Sequence, residues 1–367
     1  MRLDRITIVK FRNIAQASIE FSPQLTLLVG DNGQGKTNTL EAVHVLLTGT
    51  SFRSSKDQEL IMSACGKIPQ TSPEGSNWGV DIMSLDGVVH QDPDRILTLH
   101  HRMQLNPLRK KHEGPVLPIV VFSPDDVQLS KGSPQGRRRF LDWLIAPIDS
   151  RYLRLFRQYH RALVQRNKAL KDPRMTSTVT SFNPLLAQSG SYLWNQRLQI
   201  LRDIIPVAQK IFADLTGLRL EIQLAPGGTH NAMTDPGNYE EMLRIHQKND
   251  QQRGMTLIGP HRDDLILTID GFPAIDYASQ GQHRAIALSL KLASFEILEQ
   301  ETGMTPMVLL DDVLSELDPI KRSRLLKFIA LSRPQTVITD TEARNYENLE
   351  PVIYHVDQGI LRQQEIR

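Results

Sequence analysis

Cysteine is nearly absent: Cys65 is the only one in 367 residues. That excludes an internal disulfide framework and any cysteine-based metal site. Aromatics are sparse at 6%, and no aromatic-interleaved stacking surface is evident, so strong base-specific reading of a nucleic acid is not expected. Long hydrophobic runs are missing too. The longest, such as Ile119 to Phe122, are strand-sized, far short of the roughly 18 residues of a membrane span. The opening MRLDRITIVKFRN has no apolar signal core, so nothing directs export and the expected location is the cytoplasm. Charge of one sign is lacking overall: 43 Lys+Arg face 41 Asp+Glu, a net +2, which by itself names no partner. What is present is a 40% hydrophobic, 23% charged composition, the balance of a globular protein with room for two domains or one interrupted domain.

The charge is unevenly spread. Between Lys131 and Arg174 stand twelve Lys or Arg against three Asp. This stretch also changes character. The first 130 residues read as strands around one helix, from about Thr37 to Leu47, with strand-like pieces at 81–89, 95–101 and 116–122 and a Pro/Gly/Ser-rich loop from Ile68 to Gly79. From Gln135 to about Phe212 the periodicity is helical. Tyr152, Leu155, Phe156, Tyr159 and Leu163 share one side, and Arg154, Arg157, Arg161 and Lys168 cluster opposite. A short helix is expected from Tyr239 to Gln247, strands near Leu257, over Leu265–Ile269 and Met307–Leu310, and a long helix from Gln280 to about Gln300.

Gly30-Asp31-Asn32-Gly33-Gln34-Gly35-Lys36-Thr37 fits GxxxxGK[ST] between a strand and a helix. The glycines let successive N–H groups face a phosphate chain, and the helix N-terminus adds positive potential. Lys36 is expected to reach the β- and γ-phosphates of ATP, and the Thr37 hydroxyl to hold Mg²⁺. Met307-Val-Leu-Leu-Asp311-Asp312 is an apolar strand ending in acid. Asp311 is expected on Mg²⁺ and Asp312 beside the attacking water. Ser279-Gln280-Gly281-Gln282 opens the long helix. As an ordinary N-cap it needs no function, but it is a second helix terminus able to grip an anion.

Ser279-Gln-Gly-Gln282, Leu309-Leu-Asp-Asp312 and Ser315-Glu-Leu-Asp318 resemble the signature, Walker B and D-loop of ABC-type ATPases. In those proteins two heads sandwich two ATPs between one head's phosphate loop and the other's signature, a resemblance that makes Ser279 a catalytic candidate beside Lys36 and Asp312. Lys10-Phe-Arg-Asn13 resembles the SMC-like branch, which implies nucleotide contacts for Arg12 and Asn13. The 243 residues from Lys36 to Ser279 exceed a transporter insertion and fall far short of a long coiled-coil arm. Gly49-Thr-Ser-Phe-Arg53, Phe122-Ser-Pro-Asp-Asp126, Arg137-Arg-Arg-Phe-Leu-Asp142, Gly259-Pro-His-Arg-Asp-Asp264 and Tyr277-Ala-Ser-Gln-Gly-Gln282 are similar to the RecF family of bacterial DNA repair proteins, with matches from about residue 1 to 345.

This resemblance implies an α/β ABC-type ATPase head, a phosphate-loop lobe with an antiparallel β part, over residues 1–130 and 250–367, with an inserted helical domain at 131–249. It also implies cytoplasmic action on DNA (single-stranded, gapped or junction) in replication, repair and the SOS response, with RecO and RecR as partners in loading recombinase, an ATP-dependent homodimer, and weak DNA-stimulated ATP hydrolysis. Asp312 in place of the usual Glu, and Thr339-Asp340 where a switch His is usual, fit slow turnover. The basic helical segment supplies candidate DNA contacts: Arg137, Arg138, Arg139, Arg154, Arg157, Arg161 and Lys168. Alternatives are a motor or transport ATPase, which needs turnover on the order of 10 per second, and a DNA-binding module with a vestigial nucleotide site, against which Lys36, Thr37 and Asp311 stand. His90, His100 and His101 are expected to be surface or core residues, because adjacent strand positions face opposite ways. Gly259-Pro260-His261-Arg262 fits a structural turn or a contact between lobes, and Cys65 a small packed residue.

Overall fold

The structure, a computed structural model, describes residues 1–53, 56–62, 82–92, 95–104, 108–342 and 351–364. Cys65 and the expected 68–79 loop lie outside the described residues. The chain forms two compact units, residues 1–124 with 298–367, and residues 125–297.

In chain order the first unit begins with β1 (Arg2–Phe11), β2 (Ile14–Glu20), β3 (Leu25–Val29), α1 (Lys36–Thr48), β4 (Ile82–Asp92), β5 (Arg95–Gln104), β6 (Arg109–Glu113) and β7 (Ile119–Phe122). The last is shorter than the expected 116–122 because Pro118 cannot donate to a ladder and the Leu117 N–H is taken by the Leu47 carbonyl at 2.9 Å. The second unit carries α2 (Gln128–Lys131), α3 (Pro134–Ile145), α4 (Ser150–Ala169), α5 (Thr176–Ser181), α6 (Asn183–Thr216), β8 (Leu220–Ala225), α7 (Pro236–Ile245), α8 (Gln247–Arg253), β9 (Asp264–Ile269), β10 (Phe272–Pro273), α9 (Ala274–Tyr277) and most of α10 (Gln280–Thr302). The first unit resumes with β11 (Met307–Asp311), α11 (Val313–Glu316), α12 (Pro319–Ser332), β12 (Thr336–Asp340), β13 (Val352–Asp357) and β14 (Ile360–Gln363).

Among the described residues of the first unit, the strands form two sheets. One has the order β14-β13-β3-β12-β11-β7, parallel except for β14. Its central strands β3, β11 and β12 are buried at every residue, as expected of parallel strands covered on both faces. The other is antiparallel, β2-β1-β4-β5-β6. A register shift between Leu3 and Arg5 resets the alternation of β1, so that Leu3, Ile6 and Ile8 all reach the core. Helix α1 is buried around most of its circumference, and Val43 and Leu46 join residues of both sheets, such as Leu85 and Leu309, in one apolar core.

The second unit is helical around the three-stranded sheet β10-β9-β8. The expected boundaries at 131 and 249 differ from those of the compact unit. Residues 250–297 belong with the helices because β9 pairs with β8 along its whole length, from Leu220↔Ile269 to Ala225↔Asp264. No strand forms at Leu257: the chain turns there between Gly254 and the Gly259-Pro260 corner.

That corner is held by a buried polar network. Arg197 donates through Nη1 to the Pro260 carbonyl (2.6 Å) and Asp263 (2.7 Å), and through Nη2 to Asp142 (2.8 Å). Asp263 also accepts from Trp194 Nε1 and the Gly227 N–H, both at 2.8 Å. The Tyr159 hydroxyl is 2.7 Å from His261 Nδ1. Gly259 sits at φ 142°, and a Cβ there would lie 2.2 Å from Tyr239 Oη and 2.3 Å from Tyr159 Oη. Within this unit Gly259-Pro-His-Arg is a structural turn: Pro260 is buried, its carbonyl and the His261 ring join the network, and Arg262 stays exposed.

Candidate nucleotide site

Strand register sets the site. Asp311 pairs with Thr339, and Asp340 with Val29, so the carboxyl ends of β11, β12 and β3 stand side by side. Ligands of open parallel sheets gather at such ends. The phosphate loop leaves β3 there, and Asp31, Asn32 and Gly33 form an exposed crest. Gly35 is the N-cap of α1 at φ 116°, with no side chain capping the helix. The first N–H groups of α1 are therefore left for an anion. A Cβ on Gly35 would press within 2.8 Å of the Asn13 amide, so this close approach requires glycine.

Lys36 Nζ curls back over the loop and donates to the carbonyls of Gly30 (2.6 Å) and Asp31 (3.1 Å). Thr37 Oγ1 donates to Asp311 Oδ1 at 2.7 Å, joining positions 274 residues apart. Burial pushes the Asp311 carboxyl above its ordinary value, against the pull of the Thr37 and Thr339 hydroxyls. A hydroxyl and a carboxylate converging beside a phosphate loop are hard oxygen donors of the kind Mg²⁺ takes together with phosphates and water. The residues present fit that ion.

Asn38, Glu41 and Gly359, which no motif singles out, complete the site beside Arg12, Asn13 and Thr339. Thr339 Oγ1 donates to Asp311 Oδ1 (3.1 Å) and accepts from the Asp312 N–H (2.9 Å), linking the two acids where an imidazole was missed. Asp312 itself takes a left-handed backbone, φ 52°. Asn13 donates to the Gln34 carbonyl (3.1 Å) and accepts from Asn38 (2.7 Å). The same carbonyl accepts from the Gly359 N–H (2.8 Å). Arg12 clamps buried Glu41 with Nε and Nη2 at 2.9 and 2.8 Å. Glu41 and Asn38 lie one turn apart on α1 and carry no motif signal, while Gly359 is more than 300 residues away in the chain.

In the second unit, Ser279 and Gln282 form a reciprocal capping box: the Gln282 N–H donates to Ser279 Oγ (3.2 Å), and the Ser279 N–H to Gln282 Oε1 (2.7 Å). Gln280 and Gly281 are exposed. The first turn of α10 is pinned by buried His283, whose Nδ1 is 2.7 Å from Ser130 Oγ.

The basic segment divides. Arg154, Arg157, Arg161 and Lys168 are exposed along α4. Arg137 is buried and clamps Asp264 at 2.6 and 2.9 Å, which removes it from the candidate DNA contacts. Arg138 donates to the Asp263 carbonyl at 2.6 Å. Arg139 lies over the Trp143 ring at 4.7 Å. Arg166, counted in the same basic stretch, is fully buried against Asp250. His90 meets Asp4 (2.7 Å), His100 meets Asp86 (2.5 Å), and His101 packs against His112. No cluster of three or more metal-ligating residues occurs among the described residues, and none of their helices is long and apolar enough to cross a membrane.

The chain is 35% identical over 370 residues to the DNA replication and repair protein RecF of Rippkaea orientalis, with 95% of each chain covered. It belongs to the RecF family. A further relative, RecF of Symbiobacterium thermophilum, is 35% identical over 93% of this chain and 92% of its own. A family model described as an AAA domain matches residues 5–83. Among solved structures, the recombination mediator protein RecF with ATP, of the RecFOR pathway, superposes with a TM-score of 0.83 at 29% identity, covering 99% of this chain and 97% of that one. An Smc head bound to the C-terminal winged-helix domain of ScpA shares the fold at 16% identity and a TM-score of 0.55. The fold is the mixed α/β ABC-type ATPase head of RecF and SMC proteins.

Proposed function

We propose that this chain is an ATP-switched DNA-binding protein of recombinational repair, acting in the cytoplasm with RecO and RecR. The observation that carries the reading is the Thr37–Asp311 hydrogen bond beside Lys36 and the uncapped start of α1. Phosphates would accept from the loop N–H groups, and Lys36 would exchange its two carbonyl acceptors for phosphate oxygens. Thr37 and Asp311 would hold Mg²⁺, which neutralises phosphate charge. Asp312, with its N–H anchored on Thr339, would orient the attacking water; its short side chain fits a slow, resetting hydrolysis. Asn13, tied to the loop carbonyl of Gln34, would hold the loop in register.

Ser279 to Gln282 would grip the ATP of a second copy. Exposed Phe272, Ile275 and Tyr277, at 61%, 53% and 70%, lie just ahead of that cap and support a protein-covered face there. Arg154, Arg157, Arg161 and Lys168 would track DNA phosphates on the closed dimer, binding without base readout and weakening with salt. RecO and RecR enter through the pathway in which the ATP-bound relative acts.

Light scattering of the purified protein with Mg²⁺ and no nucleotide, ADP or ATP, with and without gapped DNA, tests the reading. The expected result is a dimer only with ATP. Ser279→Arg is expected to keep ATP binding and lose dimerisation; a Ser279→Arg protein that still dimerises with ATP would sink the sandwich model.

A further inference from the structure

Helix α12 carries an exposed face that none of the nucleotide-site residues described above uses. At about 100° per residue, Ile320, Arg324, Lys327 and Leu331 fall within an arc of about 60°. Ile320 is 68% exposed and Leu331 73%, and both cations between them are exposed. The opposite side, Leu325 and Ile329, is buried. Ser323 and Ala330, small and exposed, line one side of the stripe and leave that side accessible. No Asp or Glu occurs between Pro319 and Arg333. Among the described residues no carboxylate pairs with Arg324, Lys327 or Arg333, whereas Lys321, on another side of the helix, is held by Asp318 at 2.6 Å.

We infer that this stripe docks an acidic, aliphatic-tipped segment of a partner protein, presented by RecO or RecR; the inference rests on the pathway partners proposed above. Charge selects the partner's sign: free cations without an internal counter-charge favour carboxylates. The aliphatic ends select its class. A phosphate backbone offers nothing to cover Ile320 and Leu331, and burying them supplies the apolar part of a protein interface. The two ends are separated by eleven residues of helix, about 16 Å. The complementary segment therefore carries two aliphatic side chains at that spacing with carboxylates between them.

The test uses the full chain, purified RecO and RecR of the same organism as separate probes, and gapped duplex DNA, with affinity measured by calorimetry across a salt series. Wild type is expected to bind one of the two proteins. Arg324→Glu with Lys327→Glu is expected to weaken that binding roughly tenfold or more and to flatten its salt dependence. Ile320→Ser with Leu331→Ser is expected to weaken it roughly fivefold with the salt slope unchanged. ATP binding should be the same in all three proteins. Equal affinity of variants and wild type would remove α12 as the surface while leaving the pathway partnership intact. Failure of wild type to bind either protein would end both. Loss of DNA affinity without loss of protein affinity would make the stripe a nucleic-acid surface and overturn the inference.

Discussion

Two sets of charged side chains, one in each unit, have been put to opposite uses. Arg197 and Arg166 in the second unit are buried and fork onto Asp142, Asp263 and Asp250. Lys36 in the first unit is also buried, yet its ammonium touches only backbone carbonyls. A carboxylate partner fixes a buried cation permanently, because removing either charge strands the other in low dielectric. Two neutral carbonyls hold the ammonium in place but release it when a phosphate arrives. The lesson is that the partner of a buried charge, more than its burial, separates a structural charge from one kept for a ligand.

The largest effect is expected from Arg197→Ala. It leaves Asp142 and Asp263 without their cation, and a loss of about 3–5 kcal/mol is expected in denaturant unfolding. A loss under 1 kcal/mol would show that the network is not what holds the corner. Gly259→Ala should cost about 2–3 kcal/mol, since its methyl meets two tyrosine hydroxyls at a strained φ; a neutral result would mean that the tyrosines can move apart. Both units also bury a neutral histidine. Burial lowers His101 and His261 from 6.5 to about 3. The unfolded chain binds these protons as pH falls through 6.5 while the folded chain does not, so stability drops progressively down to about pH 3. From pH 7.5 to 5.5 each histidine is expected to remove about 1.4 kcal/mol, a loss that His261→Gln should reduce by half if the two act alone. The smallest effect on stability is expected from Lys36→Ala, about 1 kcal/mol, although ATP binding, followed by calorimetry, should disappear. A Lys36→Ala protein that binds ATP as wild type does would show that this ammonium is not kept for a ligand.

Much of the fold could be read from the chain. The covered parallel strands β3 and β11 appear as short apolar runs, the phosphate loop sits between a strand and a helix, and the Ser279–Gln282 cap carries its own spacing. Less legible was the boundary of the second unit, because the pairing of β8 with β9 spans about forty intervening residues and leaves no periodic trace. In the site, Lys36, Thr37 and Asp311 carry motif spacing, but Thr339, Asn38 and Glu41 do not. Their contribution lies in which partner they meet, and a hydroxyl or amide has no spacing rule of its own.

The basic segment marks the division most plainly. Composition alone established that residues 131–174 are rich in Lys and Arg, and helical periodicity placed Arg154, Arg157 and Arg161 on one side of α4. Tertiary structure alone decided that Arg137 and Arg166 are unavailable, because their partners Asp264 and Asp250 lie 127 and 84 residues further along the chain. Local spacing determines helices, caps and the phosphate loop, since those depend on backbone neighbours within a few residues. Which charge remains free depends on carboxylates delivered from far away by folding, and only the folded chain brings them into contact.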